Sequence, residues 1–231
     1  SAVLFLFPVS LSAQTRISSP YSIFGVGELR LNQNFRNMGM GGLGIGYRSN
    51  TSINDVNPAS YTAIDSLSFL FEATVFSHLY HQKTSSASQI GNYTTLGSFA
   101  FSFPATRWWS IGFGLRPFSS VGYKIHDSGQ DDILGTMHFL YEGSGGINQV
   151  YVGQAFSPVK GLSIGVNVSY LFGNLQRFTS VYSDSLGIYR TNKTVSNDVK
   201  GWHAGFGLQY HAKMGSEGSI TLGGIYGLQT D

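Results

Sequence analysis

Three glycines, Gly39, Gly41 and Gly44, spell G-x-G-x-x-G, a spacing that can cradle a phosphate when a strand precedes it and a helix follows. Neither flank qualifies. Phe35–Met38 is no buried strand, and Arg48–Val56 lacks a helical pattern. Asp127, Asp131 and Asp132 offer hard oxygen ligands, but their spacing is not that of a calcium loop, so a solvated loop is the simpler reading. His203 and His211 share one face of a predicted strand, yet eight residues at strand rise put them about 26 Å apart, too far for one metal. The chain has no cysteine, which removes thiolate chemistry and disulfides together. No Ser–His–Asp set can be assembled from spacing. The residues therefore predict no enzyme, no cofactor and no metal site.

The elements around these residues are more telling. Of 231 residues only 11% are charged, against roughly 25% in soluble domains. Aromatics reach 14%, glycines number 30, and the net charge is +2. No basic stripe appears, so no nucleic-acid partner is expected. Apolar residues alternate instead of clustering, as they do in membrane barrels. Residues 1–13 read as the remnant of a secretory signal peptide, ending in small residues before Gln14. Residues 14–66 form a Gly-rich, then polar segment, and residues 67–231 read as strands.

Period-two alternation is clearest in Leu162–Phe172 and Trp202–Tyr210. It predicts seven strands, at about 67–80, 93–104, 108–119, 147–157, 161–176, 198–213 and 218–230. Short turns alternate with long polar loops at 81–92, 120–146 and 177–197. That asymmetry is typical of outer-membrane barrels, whereas a soluble β-sandwich would share only the alternation. Bacterial barrels close with an even strand count. The expected fold is therefore all-β: a transmembrane antiparallel β-barrel with an N-terminal hatch, cut off before closure; if the whole barrel has fourteen strands, half of it is here. Pro117, near the end of the third strand, is a candidate kink, because proline removes a ladder donor. An equally simple reading is that it ends the strand.

Gly39-Met40-Gly41-Gly42-Leu43-Gly44-Ile45-Gly46-Tyr47, followed by Asn57-Pro58-Ala59, resembles the hatch motif of the FadL/TodX family of outer-membrane transporters. The flanking segments resemble Bacteroidota versions, among which PorV-like relatives serve protein secretion. The resemblance implies a hatch, with Gly39, Gly41, Gly42, Gly44, Asn57, Pro58 and Ala59 as gating residues. It implies an outer-membrane location in a diderm bacterium, with outer-membrane lipids and a hydrophobic small molecule in the lumen as partners. The function implied is uptake of hydrophobic compounds such as long-chain fatty acids or hydrocarbons. The alternative is a PorV-like component of protein secretion that binds secreted proteins. On local chemistry alone, Asn57 is a plausible N-cap and Pro58 suits a first helical turn, although the pair could also be an ordinary turn initiator.

Overall fold

The computed structural model describes residues 19–30, 34–83, 88–184, 189–215 and 218–228. The expected signal-peptide remnant at 1–13 lies outside them. Seven long antiparallel strands follow one another in space as in sequence. They are β2 (Leu70–Lys83), β3 (Ser88–Pro104), β4 (Trp109–Asp131), β5 (Gly135–Val159), β6 (Leu162–Ser183), β7 (Thr191–Met214) and β8 (Gly218–Leu228). A short β1 (Glu28–Leu29) pairs with the middle of β4. Before β2 lie a 3-10 turn (Pro20–Ile23), a five-residue helix α1 (Phe35–Gly39) and a 3-10 helix (Pro58–Ala63).

Two expectations need correction. The sheet does not close. Among the described residues β2 pairs only with β3 and β8 only with β7, leaving an open half-barrel with a gap of 21 Å rather than a fourteen-stranded transmembrane barrel. Alternation could not foresee this, because it is identical in open and closed sheets; closure depends on the two edge strands meeting. The long loops are also mostly strand. The β4–β5 ladder runs from Trp109–Phe156 out to Asp131–Gly135, through the whole of the expected 120–146 loop. Val121, Tyr123 and Ile125 on β4, and Met137, Phe139 and Tyr141 on β5, do alternate there, but the polar Asp127–Asp132 stretch and the many Ser and Gly residues around them read as loop.

The sheet is amphipathic in reverse. On β6, Ile164 and Val168 point outward and are 45% and 46% exposed, while Ser163 and Ser169 point inward and are 1% and 2% exposed. β7 does the same, with Trp202, Phe206, Leu208 and Tyr210 outside and Gly207 and Gln209 buried. The inner face is small and polar because another segment of the chain lies directly on it. Gly165 on β6 and Gly207 on β7 are register partners. A Cβ at Gly165 would stand 2.4 Å from the backbone of Pro58 and Ala59, and one at Gly207 would stand 2.1 Å from Asn57 Oδ1. Only glycine lets the backbones approach this closely.

Pro117 neither ends β4 nor sits in a regular ladder. It pairs with Asn148, and the register shifts between Pro117 and Ser119. This β-bulge inserts one residue. Before it, the inward residues are Ser110, Gly112, Gly114 and Arg116; after it, they are Val121, Tyr123 and Ile125. The strand thus changes from a polar inner face to an apolar one. Val121 and Tyr123 pack with Ile147 and Leu175, and Ile23 of the N-terminal segment joins them.

Gly165→Leu is expected to overpack the seat and destabilise the fold by about 1–3 kcal/mol. Ile164→Ala, on the exposed face beside it, should stay within about 0.5 kcal/mol. Urea unfolding of the two variants checks this contrast.

Candidate functional site

The residues singled out in the sequence meet under the concave face as a plug spanning residues 34–64. Its frame is built from asparagines. Asn34 caps α1, its Oδ1 accepting from the Asn37 N–H at 2.9 Å, and its amide donates to the Ile53 carbonyl. Asn37 Nδ2 donates to Asn54 Oδ1 at 3.0 Å. Asn54 Nδ2 in turn donates to the carbonyls of Gly44 (2.6 Å) and Tyr47 (2.9 Å). These bonds fold the glycine loop back onto residues 53–57. Gly41 and Gly42 adopt φ of 71° and 86° to leave α1. Gly44 has no room for a side chain, since a Cβ there would meet Val56 at 2.8 Å. Gly39 closes α1 and faces open space.

Asn57 is fully buried and ties the plug to the wall. Its Oδ1 caps the 3-10 helix by accepting from Ala59 N–H at 3.1 Å. Its Nδ2 donates to the carbonyls of Ile45 (2.8 Å) and Leu208 (3.1 Å), and more weakly to Gly224 (3.5 Å). Pro58 opens the helix and, with Ala59, is buried against Gly165. The N-cap reading of Asn57-Pro58 therefore describes the local geometry, and the simple-turn reading does not.

Several partners of the plug could not be read from its motif. Gln209, fully buried on β7, donates from Nε2 to the carbonyls of Ile45 (3.0 Å) and Tyr47 (3.1 Å). Arg48 donates to Ser163 Oγ at 3.1 Å and Thr62 Oγ1 at 2.9 Å. Tyr61 lies over Gly112 and Gly153, and its hydroxyl donates to Asn167 Oδ1 at 3.2 Å. Asp55 and Arg116 form an ion pair at 2.5 Å, and Arg116 Nε also donates to Gln149 Oε1 at 3.0 Å. Glu72 on β2 accepts from the Ile53 N–H at 2.8 Å. The available signal was rarity: in a chain so poor in charge, Glu72 and Arg116 sit among apolar or glycine-rich neighbours, whereas Asp55 is masked by the polar residues around it.

The electrostatics fit a sealed polar interior. Burial, with the Asp55 charge adding to it, pushes the Tyr61 and Tyr151 phenols well above their ordinary range, so both remain neutral. Burial is the largest influence and opposes the Arg116 charge, but its neighbours, Asp55 first among them, together outweigh it and hold the guanidinium charged. Burial raises the Glu72 carboxyl, and the bond from Ile53 offsets only part of that rise. Beside the ion pair a cavity of about 130 Å³ remains, lined by Asp55, Arg116, Gln149, Asn167 and His203.

Other candidate residues lie apart from this cluster. Pro117 is at the bulge. His211 bonds Thr221 at 2.9 Å, whereas His203 faces the small cavity. Asp131 shapes the β4–β5 turn, its Oδ1 accepting from the N–H groups of Ile133 and Leu134, both at 2.9 Å. Those two bonds lower its pKa. Asp127 accepts from the Ser128 N–H, and Asp132 is exposed. Among the described residues no cluster of His, Asp or Glu could hold a metal.

The fold and site define an open antiparallel sheet locked onto an internal plug. The chain belongs to the BamG family, whose model matches residues 1–231. No curated protein and no solved structure matches it. The family assignment corrects the FadL/TodX resemblance, which rested on about 25 residues of plug. With the family reassigned and the wall open, uptake of hydrophobic compounds loses its support. So do the outer-membrane location, the lipid partners and the lumen ligand that accompanied it. Among the described residues no helix is long and apolar enough to cross a membrane, which says nothing of crossing by strands.

Two outcomes test the lock. Asn57→Ala is expected to cost roughly 1–3 kcal/mol by leaving buried carbonyls without a donor. Asn57→Asp should cost more although aspartate is an equally good cap, because its carboxylate would face those carbonyls; chemical denaturation ranks the two. At Glu72, folding favours the protonated acid. Its contribution is complete at low pH and is lost as pH rises through the raised folded value. Glu72→Gln should therefore gain on the wild type above the ordinary carboxylate range and lose that advantage in acid, as read from unfolding midpoints across a pH series.

Proposed function

We propose that this chain is a non-catalytic, polypeptide-binding component of a protein-secretion apparatus, in which the plugged half-barrel is a scaffold and not a conduit. This is the second of the two functions that the sequence left open. The observation that carries it is the lock itself. Asn57, Gln209, Arg48 and the Asp55–Arg116 pair join the plug to β4, β6, β7 and β8 through buried polar bonds. A seat of this kind favours a fixed plug over a moving one. The cavity beside the Asp55–Arg116 pair, about 130 Å³, is small against the roughly 300–1,000 Å³ of typical small-molecule sites. The long β4–β5 and β6–β7 ladders, which run well past the plug, provide extended surface of the kind a polypeptide partner needs.

The test compares two outputs in cells that lack the protein. The amounts of secreted proteins in the medium, measured by quantitative mass spectrometry, should fall, while uptake of a radiolabelled long-chain fatty acid should not change. Normal secretion with lost uptake overturns the proposal.

A further inference from the structure

β3 and β4 part company along their length. Their pairing ends at Phe99–Leu115, two residues before Pro117. Among the described residues, beyond it β3 pairs only with β2, and β4 pairs on that side only with the two residues of β1, at Ser119 and Ser120. The result is a seam in the wall, with main-chain edges on both sides. Its narrow end is crossed by one side chain: Arg30 donates to Ser120 Oγ on β4 at 3.1 Å and to the Tyr93 hydroxyl on β3 at 3.4 Å. The N-terminal segment closes this end. Ser19 N–H donates to the Gly122 carbonyl at 3.2 Å, and Ser22 Oγ accepts from the Gly122 N–H at 3.1 Å.

Those two bonds fix which way the β4 backbone points. Gly122 presents its N–H and C=O to the seam. The β4–β5 register is unbroken from Ser119 to Asp131. In an antiparallel ladder every second residue points to the same side. Lys124, His126, Ser128 and Gln130 therefore also turn their main-chain groups to the seam, and no described strand pairs with them there. No proline or further bulge blocks this stretch, although both are common guards of exposed edges.

We infer that the seam edge of β4 from Lys124 to Gln130 is a docking site for an extended segment of a partner polypeptide. The segment adds to the sheet as a strand antiparallel to β4, along the line that β1 begins. The inference rests on the polypeptide-binding function proposed above and names where the binding occurs. Alternating donors and acceptors at strand spacing are complementary to another main chain. The edge already accepts such a strand, since β1 lies on its lower end. Close approach there is built in: Gly27 has φ 91°, and a Cβ on it would stand 2.5 Å from the Ser120 carbonyl oxygen. Next to the free stretch lies a cavity of about 390 Å³, lined by His126, Asp127, Phe139, Tyr182 and Arg190 among others. Arg190 sits over the Tyr182 ring at 4.6 Å. This cavity suits an aromatic or acidic side chain of the added strand.

The probe is a fluorescent nine-residue peptide of alternating Thr and Val with one central Tyr, titrated against the full chain by anisotropy. The same peptide N-methylated at alternate residues, on the side facing β4, is the control. The unmodified peptide should bind, and methylation should weaken binding by about tenfold or more. His126→Pro and Ser128→Pro each remove one seam-facing N–H while sparing the β4–β5 bonds, and each should weaken binding by a similar factor. Equal binding of the methylated peptide, no binding of the unmodified one, or a cross-link from position 124 to residues 1–18 of the same chain would overturn the assignment. If His126→Pro leaves peptide binding at wild-type strength, the edge assignment fails, and secretion in the same cells shows separately whether the proposed function stands.

Discussion

A sheet with polar groups on its concave face must satisfy them or lose stability, because each buried donor or acceptor left unpaired costs roughly 1–3 kcal/mol. Here the rest of the structure follows from that constraint. The plug supplies many of the missing partners, although among the described residues Asn37 Oδ1, Asp55 Oδ1 and the Tyr151 hydroxyl stay without a hydrogen bond, and the wall is shaped to receive it. Glycines at 165 and 207 admit the Pro58–Ala59 backbone, Gln209 and Asn57 exchange bonds across the contact, and Tyr61 fills the space over Gly112 and Gly153. The Asp55–Arg116 pair is the most exacting member. A buried charge pair adds little net stability but is costly to break. Its effect is to fix one position of the plug on the sheet. Specificity of placement, more than strength, is what the polar interior provides.

How much of this the sequence disclosed differs from element to element. The β6 alternation from Leu162 to Phe172 marked both the strand and its two faces, because each face meets a uniform environment. Asn57-Pro58 marked the start of a helical turn, because capping is a local interaction and leaves a local signature; that the turn belongs to a plug was legible only with the glycine run before it. The tip of the β4–β5 ladder was hidden: Asp127, Ser128 and Gly129 are all exposed, and a strand end held mainly by its ladder carries no hydrophobic rhythm. Asp55–Arg116 and Gln209–Ile45 join residues far apart in sequence, so no spacing rule could pair them. Whether the sheet closes was equally illegible, since it depends on edges and not on any residue's neighbours.

Membership of the BamG family changes what the plug motif means. A short glycine-and-asparagine signature describes how a segment seats inside a curved sheet, and this is a packing solution that different functions can share. Fold and function have to be argued separately. The outer face, with Trp202, Phe206, Leu208 and Tyr210 exposed on a single strand, is as distinctive as the inner one. Together the two faces define a wall whose polar side is already occupied and whose apolar side and edges are available.

The bulge at Pro117–Ser119 makes β4 a strand written in two phases. Below it, even-numbered residues look inward; above it, odd-numbered ones do. The lower phase carries Gly112, Gly114 and Arg116 and belongs to the plug; the upper carries Val121 and Tyr123 and belongs to the N-terminal segment. One continuous strand can therefore serve two neighbours of opposite chemistry, and each phase can change in composition without disturbing the other. Removing the extra residue would not merely straighten the strand. It would turn Val121 and Tyr123 out to the convex face and bring Gly122 and Lys124 inward.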